Sequence, residues 1–204
     1  DVPSTEGMSL TAATSKLLRE RVTKIVPQRV DEMLRAIASR DFDSFAELTM
    51  KDSNQFHAVC GDTYPPIRYL TDFSWQIIRL VHDYNRVYGA GRNVAAYTFD
   101  AGPNACIYCL ADHVPILLTL LEQLFIPSGE TLVVKGEQRE TAPDRLAPEL
   151  QELVEKTRRN TSTSETKKLI EYVISTRLGP GAQVLADTSL LIDLETGLPK
   201  QSKM

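Results

Sequence analysis

Apolar residues recur every three or four positions through much of the first half of the chain, the spacing that lines one face of an α-helix. Pro27 fits a first helical turn, after which Val30, Met33, Leu34 and Ile37 fall on one stripe. Asp41 or Asp43 can cap the next segment, where Phe45, Leu48, Asp52 and Phe56 keep the helical spacing. Thr71 or Asp72 precedes a third, with Ile77, Ile78, Val81, Tyr84 and Tyr88 on its apolar side and Gly89 where a left-handed C-terminal cap is expected. Asp112 and Pro115 open a fourth, which carries Val114, Leu117, Leu118, Leu121 and Phe125 on one side. The pattern predicts four or five amphipathic helices.

Elsewhere the period changes to two. Residues 94–99 and 104–110 are rich in β-formers and flank Asp100-Ala101-Gly102-Pro103, whose turn chemistry predicts a hairpin. A short strand is expected at 131–134. From Lys168 to Leu178, Ile170, Tyr172, Ile174 and Leu178 alternate with Glu171, Ser175 and Arg177, the mark of a strand with one wet face. Gly179-Pro180-Gly181 ends it as a tight turn, and 183–185 is the expected return. Residues 157–166, almost wholly polar, read as a solvated loop. Blocks of helices with strands joined by hairpins predict an α+β fold, an antiparallel β-sheet packed with several amphipathic helices. No internal repeat or second composition shift divides residues 1–204, so one domain is expected.

Composition narrows the function classes. The 23 Lys and Arg against 27 Asp and Glu leave a net charge of −4, without the basic surplus that binds a nucleic-acid backbone. No apolar run reaches the roughly 20 residues of a membrane helix; the best, Val114 to Ile126, is broken by Thr119, Glu122 and Gln123. A soluble protein with neither nucleic acid nor membrane as partner is expected. The chain opens at Asp1 with no initiator Met and no recognisable signal or transit peptide, so it reads as a cut or processed piece. Three cysteines without framework spacing indicate free thiols in a reducing compartment, and the Asn160-Thr161-Ser162 sequon has no secretory context.

Short motifs add little. Cys106-Ile107-Tyr108-Cys109 has Cys-x-x-Cys spacing, but in a strand positions three apart face opposite sides, so the sulfurs diverge. His57, His82 and His113 lack zinc-site spacing and read as structural or surface residues. No glycine-rich phosphate loop occurs. Asp100 sits at the tip of the predicted hairpin, a rigid placement that suits a catalytic carboxylate, although turn chemistry alone accounts for an Asp there. The polar run 51–57 contains Ser53 and Asn54, mediocre helix formers whose concentration in an amphipathic helix indicates a polar neighbour or a solvated face.

Longer stretches carry more. Ser4-Thr5-Glu6-Gly7-Met8, Thr49-Met50-Lys51-Asp52-Ser53-Asn54-Gln55-Phe56-His57-Ala58, Asp62-Thr63-Tyr64-Pro65-Pro66-Ile67 and Ala96-Tyr97-Thr98-Phe99-Asp100-Ala101-Gly102-Pro103-Asn104-Ala105 resemble, in this order, the diphosphomevalonate decarboxylases of the GHMP kinase superfamily. Gly179-Pro180-Gly181-Ala182-Gln183 and Thr196-Gly197-Leu198-Pro199-Lys200 extend the resemblance. It departs at Gly61, where a larger apolar residue is expected, and over 126–167. The resemblance is to the C-terminal half of that enzyme, so residues 1–204 are expected to form its C-terminal GHMP-kinase-like domain, without the N-terminal domain that carries the ATP loop.

The resemblance implies ATP-dependent decarboxylation of mevalonate 5-diphosphate to isopentenyl diphosphate, ADP, phosphate and CO₂, in a cytoplasmic, homodimeric enzyme of isoprenoid and sterol biosynthesis. It implies Asp100 as the catalytic aspartate, Ser4 as a hydrogen-bond partner of the substrate diphosphate, Met8 as part of that pocket, and Ala101 as a backbone contact to the substrate carboxylate. ATP and Mg²⁺ are implied as cofactors, held mainly by the other domain. Two rivals are a non-catalytic binding or dimerisation module of the same fold and a related small-molecule kinase of the superfamily.

Overall fold

The computed structural model describes residues 2–136, 146–160, 168–182, 192, 193, 195, 196 and 198. The chain runs α1 (Ser4–Thr14), α2 (Lys16–Glu20), a π-helical turn (Arg21–Ile25), α3 (Val26–Ser39), α4 (Phe42–Asp62), α5 (Asp72–Tyr88), β1 (Ala95–Thr98), β2 (Cys106–Cys109), a 3₁₀ turn (Ala111–His113), α6 (Val114–Phe125), β3 (Val134–Gly136), α7 (Pro148–Asn160) and β4 (Val173–Ser175). The fold is α+β, as expected.

Local chemistry sets the helix boundaries. Asp41 caps α4 by accepting from the Ser44 backbone N–H at 3.2 Å. Thr71 and Ser74 form a reciprocal capping box on α5. Pro27 and Pro115 occupy the first turns of α3 and α6, as predicted. Arg40, left-handed at φ 54°, ends α3, and the Asp41 N–H reaches back to the Ala36 carbonyl at 2.9 Å. Gly89 is right-handed at φ −80°, against the expected left-handed cap. Its glycine answers to space, because a Cβ there would stand 1.8 Å from the Arg92 carbonyl; Ala90 and Gly91 carry the positive φ.

The core forms where β1 lies between helices. Ala95, Ala96 and Tyr97 are fully buried, packed with Ala46 and Met50 of α4, Ile77, Val81 and Tyr84 of α5, and Leu117, Leu120 and Phe125 of α6. Two adjacent alanines leave room for helices on both faces of this strand, so it shows no period of two. Asn85 of α5 secures its start: the side-chain oxygen accepts from the Val94 and Ala95 N–H groups, and its NH₂ donates to the Ala95 carbonyl. β1 pairs antiparallel with β2, Ala95 opposite Cys109 and Thr98 opposite Cys106, which makes the connection seven residues, 99–105.

Several sequence expectations change. The π-helical turn and the two helices before α3 were not predicted, because α1 is Ser-Thr-Glu-Gly-Met-Ser-Leu-Thr-Ala-Ala-Thr, with no apolar stripe. The α3 stripe points outward, with Val30, Leu34 and Ile37 at 50%, 61% and 58% exposure and Ala36 buried instead. β3 begins where its predicted strand ended and pairs with β4 in parallel. The predicted faces of β4 are reversed, since Ser175 is buried and Ile174 is 63% exposed, a one-residue shift in a period of two. Residues 157–160, expected in a loop, complete α7. The proposed return strand at 183–185 lies outside the described residues.

Candidate active site

The Asp100 loop begins where the β ladder stops. Phe99 is buried, Asp100 is exposed and Ala101 is half-buried. The Phe99 backbone N–H donates to Ser53 Oγ of α4 at 3.1 Å. Ala101 packs against a small cluster of Cys60, Ile67 and Tyr69, joined there by Val2 and Phe56. Asp100 is thus an open carboxylate between two anchored neighbours, the arrangement that fixes a reactive group without burying its charge.

The same cluster carries the start of α1. Tyr69 Oη donates to the Val2 carbonyl at 3.3 Å, and a Cβ at Gly7 would fall 2.6 Å from that oxygen, so glycine lets the helix sit against the ring. Ser4 opens α1 after Pro3 and is exposed; Met8, one turn on and 63% exposed, shares its face. The first N–H groups of a helix point outward with a partial positive charge, a setting that favours an anion near Ser4. Ser4, Met8, Asp100 and Ala101 therefore belong to two segments docked on one platform. Among the described residues no hydrogen bond joins Ser4 or Met8 to Asp100.

The polar run of α4 divides between two tasks. Asp52 faces the π-helical turn and α3, taking a two-pronged bond from Arg21 at 2.7 and 2.8 Å and a third from Arg29 at 3.0 Å. The Arg21 guanidinium holds the Asp52 carboxyl below the usual range, against the partial burial that raises it. Ser53 and Asn54 face β1: Asn54 Oδ1 accepts from Tyr97 Oη–H at 3.1 Å. His82 Nε2 lies 3.2 Å from the same phenol, whose one proton goes to Asn54, so His82 presents Nε2–H to it.

His57, one turn beyond Ser53, packs edge-on against Phe99 with centroids 6.4 Å apart, and its buried Nε2 has no partner among the described residues. Burial pushes its imidazole pKa down, opposed by the Phe99 backbone and the Asp100 charge. His113 Nδ1 shares a hydrogen bond with Tyr84 Oη at 2.7 Å, and burial raises the pKa of that phenol. Both contacts and this platform escaped sequence reasoning; the run of Ser53 and Asn54 was the signal that α4 meets something polar. Cys106 is exposed and Cys109 half-buried, neither of them in a disulfide, and Cys60 is buried with its thiol pKa raised. Among the described residues no three His, Cys, Asp or Glu side chains converge as metal ligands, and no helix is long and apolar enough to cross a membrane.

Comparison with known proteins adds to this geometry. A profile described as the mevalonate 5-diphosphate decarboxylase C-terminal domain matches residues 1–185. Diphosphomevalonate decarboxylase of Danio rerio is 48% identical over 202 residues, covering 98% of this chain and 48% of the relative. The X-ray crystal structure of a mevalonate 5-diphosphate decarboxylase superposes with a TM-score of 0.67 at 38% identity, over 97% of this chain and 48% of that one. A structure of MDDEF in complex with MVAPP aligns with a TM-score of 0.54 at 26% identity, over 60% of this chain and 37% of that one. This chain spans about half the length of the curated relatives it matches.

Proposed function

This chain belongs to the mevalonate 5-diphosphate decarboxylase family through its C-terminal domain, and from that premise we propose that it supplies the catalytic aspartate and part of the substrate pocket of an ATP-dependent decarboxylase. The substrate in this reading is mevalonate 5-diphosphate, and the products are isopentenyl diphosphate, ADP, phosphate and CO₂. The observation that carries it is the shared Cys60, Ile67 and Tyr69 platform, which holds Val2 at the approach to Ser4 and Ala101 beside Asp100.

The chemistry asks for two kinds of group. A tertiary hydroxyl is a poor leaving group, and ATP, when bound, converts it to a phosphate that departs. The open Asp100 carboxylate accepts the hydrogen of the 3-hydroxyl, orienting its oxygen, and its negative charge then stabilises the electron-poor carbon as the bond to CO₂ breaks. Ser4, at the positive end of α1, hydrogen-bonds the diphosphate, Met8 covers the same pocket, and the Ala101 N–H meets the substrate carboxylate.

The residues described do not form a metal cage. In this proposal Mg²⁺ takes phosphate oxygens and groups of the N-terminal domain as ligands, and no step of this chain runs through it. The whole enzyme is read as a cytoplasmic homodimer, in which pairing of two copies covers exposed apolar surface such as the outer face of α3. Incubating the full-length protein with ATP and mevalonate 5-diphosphate tests the function. One CO₂, one ADP and one phosphate are expected per isopentenyl diphosphate, whereas a phosphorylated product without gas would identify a kinase.

A further inference from the structure

We propose that Ser53 is a positioning residue for Asp100, an inference that rests on the catalytic reading of Asp100 and extends it to the helix beneath the loop. The antiparallel register ends at Thr98 and Cys106, so the backbone from Phe99 onward leaves the ladder just before the aspartate. A seven-residue connection is too long to be fixed by turn geometry alone, and Asp100 itself is exposed. The loop therefore depends on contacts from elsewhere in the fold.

Ser53 makes the nearest one. It is buried in the middle of α4, where serine is a weaker helix former than alanine. Helix hydroxyls elsewhere, such as Thr14, Thr23, Thr49 and Thr119, donate to the carbonyl four residues back. Ser53 Oγ instead accepts the Phe99 N–H, 46 positions away in sequence, and satisfies a buried donor that the sheet has released. His57, on the same face one turn later, packs edge-on against the Phe99 ring. The backbone and ring of Phe99 are thereby tied to one rigid helix, and Asp100 leaves that anchor by a single peptide unit. A displacement of about 1 Å at a reacting group can cost on the order of 100-fold in rate, so the anchor controls turnover without touching substrate.

The test uses the full-length enzyme with ATP and mevalonate 5-diphosphate. Ser53→Ala is expected to lower kcat by about 10- to 100-fold while both KM values stay within about threefold. Thr49→Ala, which removes a hydroxyl bonded only within α4, leaves the rate unchanged. Because Ser53 acts through Asp100, adding Ser53→Ala to Asp100→Asn should cost less than about twofold more. If Ser53→Ala unfolds the protein, Ser53→Cys, close in shape but a weak acceptor, is expected to show the same fall in kcat at constant KM. Wild-type kcat in the Ser53 variants, a loss confined to KM, or an equal loss with and without the Asp100 change would overturn the proposal. Full activity of Asp100→Asn would overturn the catalytic reading itself, a different result from an inactive Asp100 variant beside an unaffected Ser53 one.

Discussion

Two half-buried imidazoles make the fold sensitive to mild acid. Burial is the leading cause of the lowered pKa of both His57 and His113, below the ordinary value of about 6.5. The unfolded chain therefore takes up protons that the folded chain refuses as pH falls through about 6.5. Their contribution is complete above that value and is lost as pH drops toward the folded pKa values. A protonated His113 Nδ1 is a donor, so the Tyr84 hydroxyl can then only accept from it. Urea unfolding should give a lower midpoint at pH 5.5 than at pH 7.5, and His57→Gln should narrow the gap; a midpoint that rises on acidification contradicts this. Gly7 acts through space instead. Gly7→Ala pushes a methyl group toward Tyr69 Oη and its bond to Val2, so stability should fall by about 1–3 kcal/mol. Calorimetry on the full-length protein should show weaker binding of mevalonate 5-diphosphate with little change in kcat; unchanged affinity would separate this contact from the pocket.

Among the elements, α3 and α1 show where pattern and packing part. The apolar spacing of α3 is real, and a sequence marks an apolar face without saying what covers it. Val30, Leu34 and Ile37 project outward while α3 is fastened to α4 by Arg29 through Asp52. Leu34→Lys with Ile37→Lys should alter the unfolding free energy of this chain by no more than about 0.5 kcal/mol. In the full-length protein the same pair should shift sedimentation from dimer toward monomer if α3 contributes to self-association; a stable dimer would remove α3 from that role. Helix α1 presents the opposite case. Its buried positions are Gly7 and Thr11, with Thr11 Oγ1 2.9 Å from Thr63 Oγ1, so close approach and hydroxyl contacts hold it where a hydrophobic stripe is absent. Helices α3 to α6, the caps at Asp41 and Thr71 and the β1–β2 pairing were legible in the sequence because local chemistry decides them, whereas α7 and the right-handed Gly89 were not. The parallel β3–β4 pair and the reversed face of β4 were not, since both depend on what lies on either side of three-residue strands.

At the scale of the whole molecule, a long helix and a buried strand convert a mobile type of residue into a fixed one. Asp in a loop is common and needs no function. Here the loop springs from β1, which is enclosed by α4 and α5, pinned by Asn85 at its start and by Ser53 just past its end. The resemblance to the decarboxylase family singled out Asp100, Ser4, Met8 and Ala101, and chain physics alone did not. What sequence could not supply was their support: Tyr69, Cys60 and Ile67 are ordinary core residues until the fold sets Val2 and Ala101 against them. Turnover of the full-length protein by Asp100→Asn tests the central claim most directly. With mevalonate 5-diphosphate binding retained, CO₂ release should fall by roughly 100- to 10,000-fold; release at the wild-type rate would contradict the assignment of this carboxylate to the reaction.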